Sequence, residues 1–376
     1  MMYSLDEIGL IPAEISSIEH RGDINPFVQS PFGGEKLPIF VAPMTCILDA
    51  NNICTFSRSK VEPIMPVRPG WDRLILPNNS AWLGWQAVTL DEFINLFVSC
   101  TAKEDMKHYI LIDVANGHME KLFRAVKDAK QEYGDNLVVM IGNIANPDTY
   151  KECCKAKVDY VRVGIGGGAG CTTSVQTGIH TSLPFILNKI KNIKERMLLY
   201  KKATISDENG ISLYGSTSFG LADKIFTAEE VCDYSEAEGF LTKVIADGGI
   251  NTIDKAIKCL ALGADYVMMG KCFAECEESI GKVYYATFNG NTVPCKLYYG
   301  QSSEQGQIDR FGKVKSNPEG TIKHVPVTTN LSEFCDKFEA ALRSAMSYCN
   351  ARTLNDFIGK IQYETMTHSE FGAYIK

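Results

Sequence analysis

The stretch Tyr160-Val-Arg-Val-Gly-Ile-Gly-Gly-Gly-Ala-Gly-Cys-Thr-Thr173 decides how the fold is read. A short apolar run with one arginine in it breaks into five glycines within residues 164–170, then a cysteine and two threonines. The run reads as a buried strand, and the glycines as a loop whose backbone can approach a ligand closely, since glycine tolerates positive φ. Consecutive amides in such a loop can form an anion nest or, with carbonyls turned inward, a cation site. Cys171, on an exposed loop, would be a nucleophile once ionised. The plain alternative is a glycine-rich turn with an incidental thiol, because such patterns recur by chance.

Working outward, apolar runs separated by helix-like stretches recur along the chain. Strands are expected at 39–42, 62–67, 82–88, 109–115, 137–142, 160–165, 243–246 and 266–269. Several are continuously apolar, which suits parallel strands covered on both faces. Amphipathic segments lie between them, at 90–97, 120–129 and 253–262. Eight such units suggest an α/β protein with a (β/α)8 TIM barrel; a doubly wound open sheet is the other arrangement. Asp113, Asn143, the 166–171 loop, Asp247-Gly248-Gly249 and Gly270 all fall at the C-terminal ends of expected strands. A barrel gathers those ends on one face, whereas an open sheet would spread them along an edge, so the barrel is preferred.

Two regions exceed a minimal barrel. Residues 202–240 are rich in Gly and Ser without a clear period, and 288–326 begin with the turn signal Asn289-Gly290-Asn291 before a long polar run. Irregular loops of this length in a compact domain are usually functional lids or disordered. The expectation is a single domain, 1–376, with an insertion at about 200–240 after strand six and a flap at about 300–325 after strand eight.

The 376 residues carry 38 Lys+Arg against 45 Asp+Glu, a net charge of −7, which argues against nucleic-acid or anionic-membrane partners. The basic run 189–202 has apolar Ile190, Ile193, Met197 and Leu198 interleaved and reads as a solvated helix face. The 13 cysteines include no CxxC pair, so zinc-finger and thioredoxin-type sites are not expected. No apolar run reaches membrane-span length and the first residues lack a signal-peptide pattern, so a cytoplasmic enzyme with reduced thiols is expected. The six histidines are scattered without metal-ligand spacing; His118 alone lies near the expected active face. Trp71, Trp82 and Trp85 read as packing residues. Arg68 reads as a loop arginine that reaches either a cofactor phosphate or a salt-bridge partner.

A second signal is Val244-Ile-Ala-Asp-Gly-Gly-Ile250, followed by Ala264-Asp-Tyr-Val-Met-Met-Gly270. Asp247 stands beside flexible backbone, suited to a sugar diol or phosphate, and Gly270 opens a helix that offers amides to a phosphate. These follow expected strands seven and eight, where barrels commonly bind phosphate. An N-cap role for Asp247 is the plain alternative.

In order along the chain, LPIFVAPM, IGGGAGCTT, VIADGGI, GADYVMMG, YYGQSSE and NPEG together resemble the IMP dehydrogenase/GMP reductase family of purine-nucleotide oxidoreductases. The resemblance runs from Leu37 to the C-terminal helix near Tyr348. It implies a (β/α)8 barrel, a homotetramer, a purine mononucleotide substrate and covalent catalysis. By motif, Cys171 would attack C2 of the purine, while Thr173 and Glu319 would form an acid/base pair. Asp247 would bind the ribose diol, and Gly248, Gly249, Gly270 and Lys271 the phosphate region. Tyr298, Gly300, Gln301, Ser302 and Gly320 match the loops around phosphate and base. Asp113, Val114, Ala115 and Asn143 would lie near the nicotinamide. Carbonyls of Gly166, Gly168 and Cys171 match a monovalent-cation (K+) loop.

The chain departs from the family pattern at Ala169 (usually serine), Ser174 (often arginine), Gln301 (usually methionine) and Lys271 (usually small). The 76 residues from Cys171 to Asp247 are also more than in typical members, which motivates the insertion. The resemblance leaves no room for the tandem regulatory module common in IMP dehydrogenases. Asp309-Arg310-Phe311 lacks the tyrosine of a dehydrogenase's Arg-Tyr flap pair, and Ser302-Ser303-Glu304 with Asp-Val-Ala-Asn-Gly leans toward GMP reductase, whereas Pro318-Glu319-Gly320 and Asp-Arg-Phe resemble bacterial IMP dehydrogenases. The expected activity is therefore NADPH-dependent reductive deamination of GMP to IMP and ammonia. NAD-dependent oxidation of IMP to XMP stays open, as does a degraded nucleotide-binding sensor. An unrelated flavin- or phosphate-binding barrel would leave Cys-Thr-Thr unexplained.

Overall fold

The computed structural model describes residues 3–68, 82–99, 106–168, 172–208, 226–288 and 290–366. Its centre is a closed barrel of eight parallel strands, each hydrogen-bonded to its neighbours in chain order. They are β1 (Ile39–Val41), β2 (Glu62–Met65), β3 (Trp85–Val88), β4 (His108–Asp113), β5 (Leu137–Ile144), β6 (Tyr160–Val163), β7 (Lys243–Asp247) and β8 (Tyr266–Met269). Every expected strand is present, and closure excludes the open sheet. β1, β2, β3 and β8 are buried at every position, as strands covered from both sides must be.

Helices pack their apolar stripes on the outside. The helix Glu120–Tyr133 buries Leu122, Ala125, Val126 and Ala129, a spacing of three and four that puts them on one face. The helix Leu331–Tyr348 buries Leu331, Phe334, Phe338, Leu342 and Met346, and its Asn330 cap accepts a hydrogen bond from the Glu333 amide.

Several local expectations need correction. The region between β6 and β7 is not irregular throughout: the helix Leu183–Glu208 extends well beyond the basic run, and a second helix follows at Ala228–Glu236, opened by a Thr227/Glu230 capping box. Ile190 and Met197 are buried there, but Leu198 is exposed and does not belong to the packed stripe. Trp82 precedes β3 rather than opening it, and its indole donates to Trp85 O at 2.9 Å. Trp71 lies outside the described residues. Arg68 turns to the carbonyls of Thr45 and Leu48, in the loop after β1.

After β8 the chain forms an antiparallel sheet, β9 (Tyr284–Phe288), β10 (Asn291–Tyr299) and β11 (Ile322–Pro326). The segment between β10 and β11, where the flap is expected, contains the helix Glu304–Phe311, capped by Ser303, whose hydroxyl accepts from Gly306 N. No helix among the described residues is long and apolar enough to cross a membrane.

Candidate active site

A cavity of about 230 Å3 opens at the C-terminal end of the barrel. The polar residues of four successive strands meet there. β5 carries one extra residue against β6 between Ile141 and Ile144, a bulge that brings Asn143 to the cavity wall. Asn143 Nδ2 donates to Asp247 Oδ2 at 2.8 Å and to Gly164 O at 2.9 Å. Arg162, on β6, stands between two carboxylates: Nη1 donates to Asp113 Oδ1 at 2.7 Å, while Nε and Nη2 donate to Asp247 Oδ2 at 3.0 and 2.9 Å. The three side chains are only 10–16% exposed. From the flap helix, Arg310 Nη2 reaches Asp113 Oδ2 at 2.9 Å.

Two arginines and two aspartates thus balance in a poorly solvated place. Burial alone would raise the Asp113 pKa, but Arg310 and then Arg162 outweigh it and hold the carboxyl below its ordinary range. Burial likewise opposes the Arg162 charge, which Asp247 and Asp113 more than restore.

Glycines let the loops close on one another. Gly164 has φ +121°, and a Cβ there would stand 2.1 Å from Asp247 O; at Gly249, φ +76°, it would stand 2.7 Å from Gly167 O. No side chain fits between these strand ends. Gly270 is hemmed in by Met44 Sδ and the Tyr298 hydroxyl. Tyr298 itself is buried, and burial pushes its phenol pKa up. Lys271 lines the cavity with its Nζ 3.1 Å from Glu275 Oε1, so its charge is shared with a neighbour.

The flap is fastened to the loop after β1 through Asp309. Its Oδ2 accepts from Thr45 Oγ1 at 2.9 Å and from the Tyr299 hydroxyl at 2.6 Å, and its Oδ1 accepts from Gln305 at 2.8 Å. Gln301 donates to Pro43 O. At the rim, Thr173 Oγ1 donates to Glu319 Oε2 at 2.7 Å, although 146 residues separate them in sequence. The Glu319 amide donates to Ser302 O at 2.9 Å, which ties that pair to the flap. A hydroxyl bonded to a carboxylate can pass a proton in either direction.

Of the residues singled out from sequence, Asp113, Val114, Ala115 and Asn143 line one part of the cavity, and Gly166, Gly168, Thr173 and Asp247 another. Gly248, Gly249, Gly270 and Lys271 complete the floor, while Tyr298, Gly300, Gln301 and Ser302 close it from the flap side. Glu319 and Gly320 do not line it; Glu319 reaches it through Thr173. Cys171 and Ala169 lie outside the described residues. Sequence reading passed over Arg162 and Asn251 as site residues, and treated Arg310 only as part of a motif. The signal for Arg162 was its charge inside an otherwise apolar strand, which only a buried counter-charge explains.

The IMP dehydrogenase/GMP reductase domain model matches residues 101–223 and 220–372, most of the chain. The chain belongs to the IMP dehydrogenase/GMP reductase family. Family members are purine-nucleotide oxidoreductases. A GMP reductase of Streptococcus pneumoniae serotype 4 is 27% identical over 358 residues, covering 94% of this chain and 92% of its own. The GMP reductase of Shouchella clausii is also 27% identical, covering 98% and 97%. An inosine-5'-monophosphate dehydrogenase of Chlorobaculum tepidum is 29% identical over 270 residues, but the match spans 69% of this chain and only 45% of that protein.

Proposed function

We propose that the chain is a GMP reductase, converting GMP, NADPH and a proton to IMP, NADP+ and ammonia. The observation that carries the covalent nucleotide chemistry is the 2.7 Å Thr173–Glu319 bond at the cavity rim, an acid/base relay in this reading. The near full-length match to proteins named GMP reductase supports the reductase branch.

In this reading the Cys171 thiolate bonds to purine C2 and the C2–N2 bond breaks. The nitrogen leaves as ammonia with a proton passed through Thr173 Oγ1 from Glu319, leaving a thioimidate. The nicotinamide supplies a hydride to C2 when bound. The C2–S bond then breaks, returning the thiolate and IMP. Asp247, oriented by Arg162 and Asn143, takes the ribose diol; Gly248, Gly249, Gly270 and Lys271 take the phosphate region. Tyr298, Gly300, Gln301, Ser302 and Gly320 surround phosphate and base. Asp113, Val114, Ala115 and Asn143 take the nicotinamide.

The carbonyls of Gly166, Gly168 and Cys171 suit K+. Gly166 has φ +82°, and a Cβ there would stand 2.8 Å from Ser174 Cβ, so the loop keeps bare backbone at this position. A cytoplasmic homotetramer with an insertion at 200–240 belongs to the same reading.

One observation favours the dehydrogenase as a second reading: Arg310 of Asp309-Arg310-Phe311 lines the cavity. Purified protein given GMP with NADPH, or IMP with NAD+, separates the two by nicotinamide absorbance. Turnover is expected with the first pair alone, abolished by Cys171→Ala, with GMP protecting Cys171 from alkylation. Turnover with IMP and NAD+ reverses the choice. Nucleotide binding without turnover of either pair favours the sensor.

A further inference from the structure

Outside the cavity, one imidazole joins two of the strand-end loops. His118 follows the Asn116-Gly117 turn after β4. Its Nε2 accepts from two backbone amides beyond β5, Ala145 N at 3.0 Å and Asn146 N at 3.2 Å. Both partners are donors, so Nε2 bears no hydrogen; the ring hydrogen sits on Nδ1 and is donated to Asn116 Oδ1 at 2.9 Å. The same Oδ1 accepts from the His118 amide at 3.1 Å. Beside it, Gly117 N donates to Asn143 O at 2.8 Å, and a Cβ on Gly117 would stand 2.8 Å from that oxygen. The loop after β4 and the end of β5 are therefore joined backbone to backbone, with the imidazole as the outer clasp.

We propose that neutral His118 is a positioning residue, clasping the loop that follows Asp113, Val114 and Ala115 to the strand end that bears Asn143 and so shaping the cofactor half of the cavity. The proposal rests on the assignment of those four residues to the nicotinamide. His118 does not line the cavity and acts through the two loops.

A second ring proton would turn Nε2 into a donor facing two donors, and both amide bonds would be lost. Burial lowers the His118 pKa from its ordinary value near 6.5. The clasp's contribution is therefore complete above that ordinary value and is lost as pH falls through the lower folded one. Charged groups on the elements packed against it are engaged elsewhere. Glu120 pairs with Arg124, Lys121 with Asp91, and Asp148 with Lys151, which also reaches Asp233. His180 stands by Gly166, beside the Thr181 that donates to Ala145 O. None of them is a cause of the shift, which comes from burial alone.

The test compares wild type, His118→Gln and His118→Ala between pH 8 and 5.5. Glutamine can accept through Oε1 and donate through Nε2 without titrating. In wild type, the KM for NADPH is expected to rise about fivefold as pH falls through the lowered folded pKa of His118, the loss of roughly one net hydrogen bond, with a smaller change in the KM for GMP. His118→Gln should flatten that rise, and His118→Ala should show the raised value at every pH. The same pH dependence in wild type and His118→Gln overturns the proposal. Imidazole nitrogen shifts by NMR test the clasp without turnover: a ring hydrogen on Nδ1 at neutral pH supports it, and one on Nε2 overturns it. If the NMR result holds but neither GMP nor NADPH binds, the cofactor assignment fails and the clasp between loops stands.

Discussion

The two ends of the barrel are built from the same strands and furnished in opposite ways. At the N-terminal end, Phe40, Trp85, Tyr160 and Tyr266 fill the bore ring against ring, with centroids 5.2–6.0 Å apart. Lys243 lies over the Tyr160 and Tyr266 rings at 5.4 and 5.7 Å. Two residues beyond Tyr160 on β6 comes Arg162, and four beyond Lys243 on β7 comes Asp247. The alternation of a strand puts each pair on the same face, so one bore holds a plug at one end and a charge network at the other. Rings exclude water at one end; paired charges and bare backbone line a cavity at the other.

That contrast can be broken from either end. Arg162→Met leaves Asp247 without its guanidinium and Asp113 with Arg310 alone. Removing one partner of a buried ion pair costs about 3–5 kcal/mol, read as a lower denaturant midpoint, and kcat/KM should fall by at least about 10^3 because Asp247 loses its orientation. A variant as stable and active as wild type would mean that the network does not organise this end. Trp85→Ala at the plug should cost a similar 3–5 kcal/mol or slightly less, with the KM for nucleotide unchanged within about twofold in the folded enzyme. A large shift in KM would show that the plug and the charged end are coupled. Thr173→Val keeps the shape but loses the hydroxyl. It should lower kcat about 10^2-fold, leave nucleotide affinity unchanged and barely move the melting temperature.

Much of the architecture was legible in the chain. Continuous apolar runs such as 266–269 mark strands covered on both faces, and β8 has those bounds. The glycine loop was legible because positive φ at Gly164 and Gly166, and the close approach of Gly164 to Asp247 O, leave glycine few substitutes. The helix Leu183–Glu208 was less so, since charges interleaved with apolar residues leave its length undefined until β6 and β7 are packed beside it. The short flap helix was missed because its run of polar residues has no apolar period of its own; it is held by Ser303 at its cap and Asp309 against Thr45 and Tyr299.

By itself the sequence determined the eight-stranded barrel, the face that carries the polar loops and the residue types gathered there, because periodicity and glycine placement are local properties. Only the tertiary structure decided the partners. It joined Thr173 to Glu319 across 146 residues. It set Arg162 between two aspartates from different strands and brought Arg310 in from the flap. Hydrogen bonds and ion pairs act over a few ångströms, so partners this far apart in the chain are fixed only once barrel closure has brought them together.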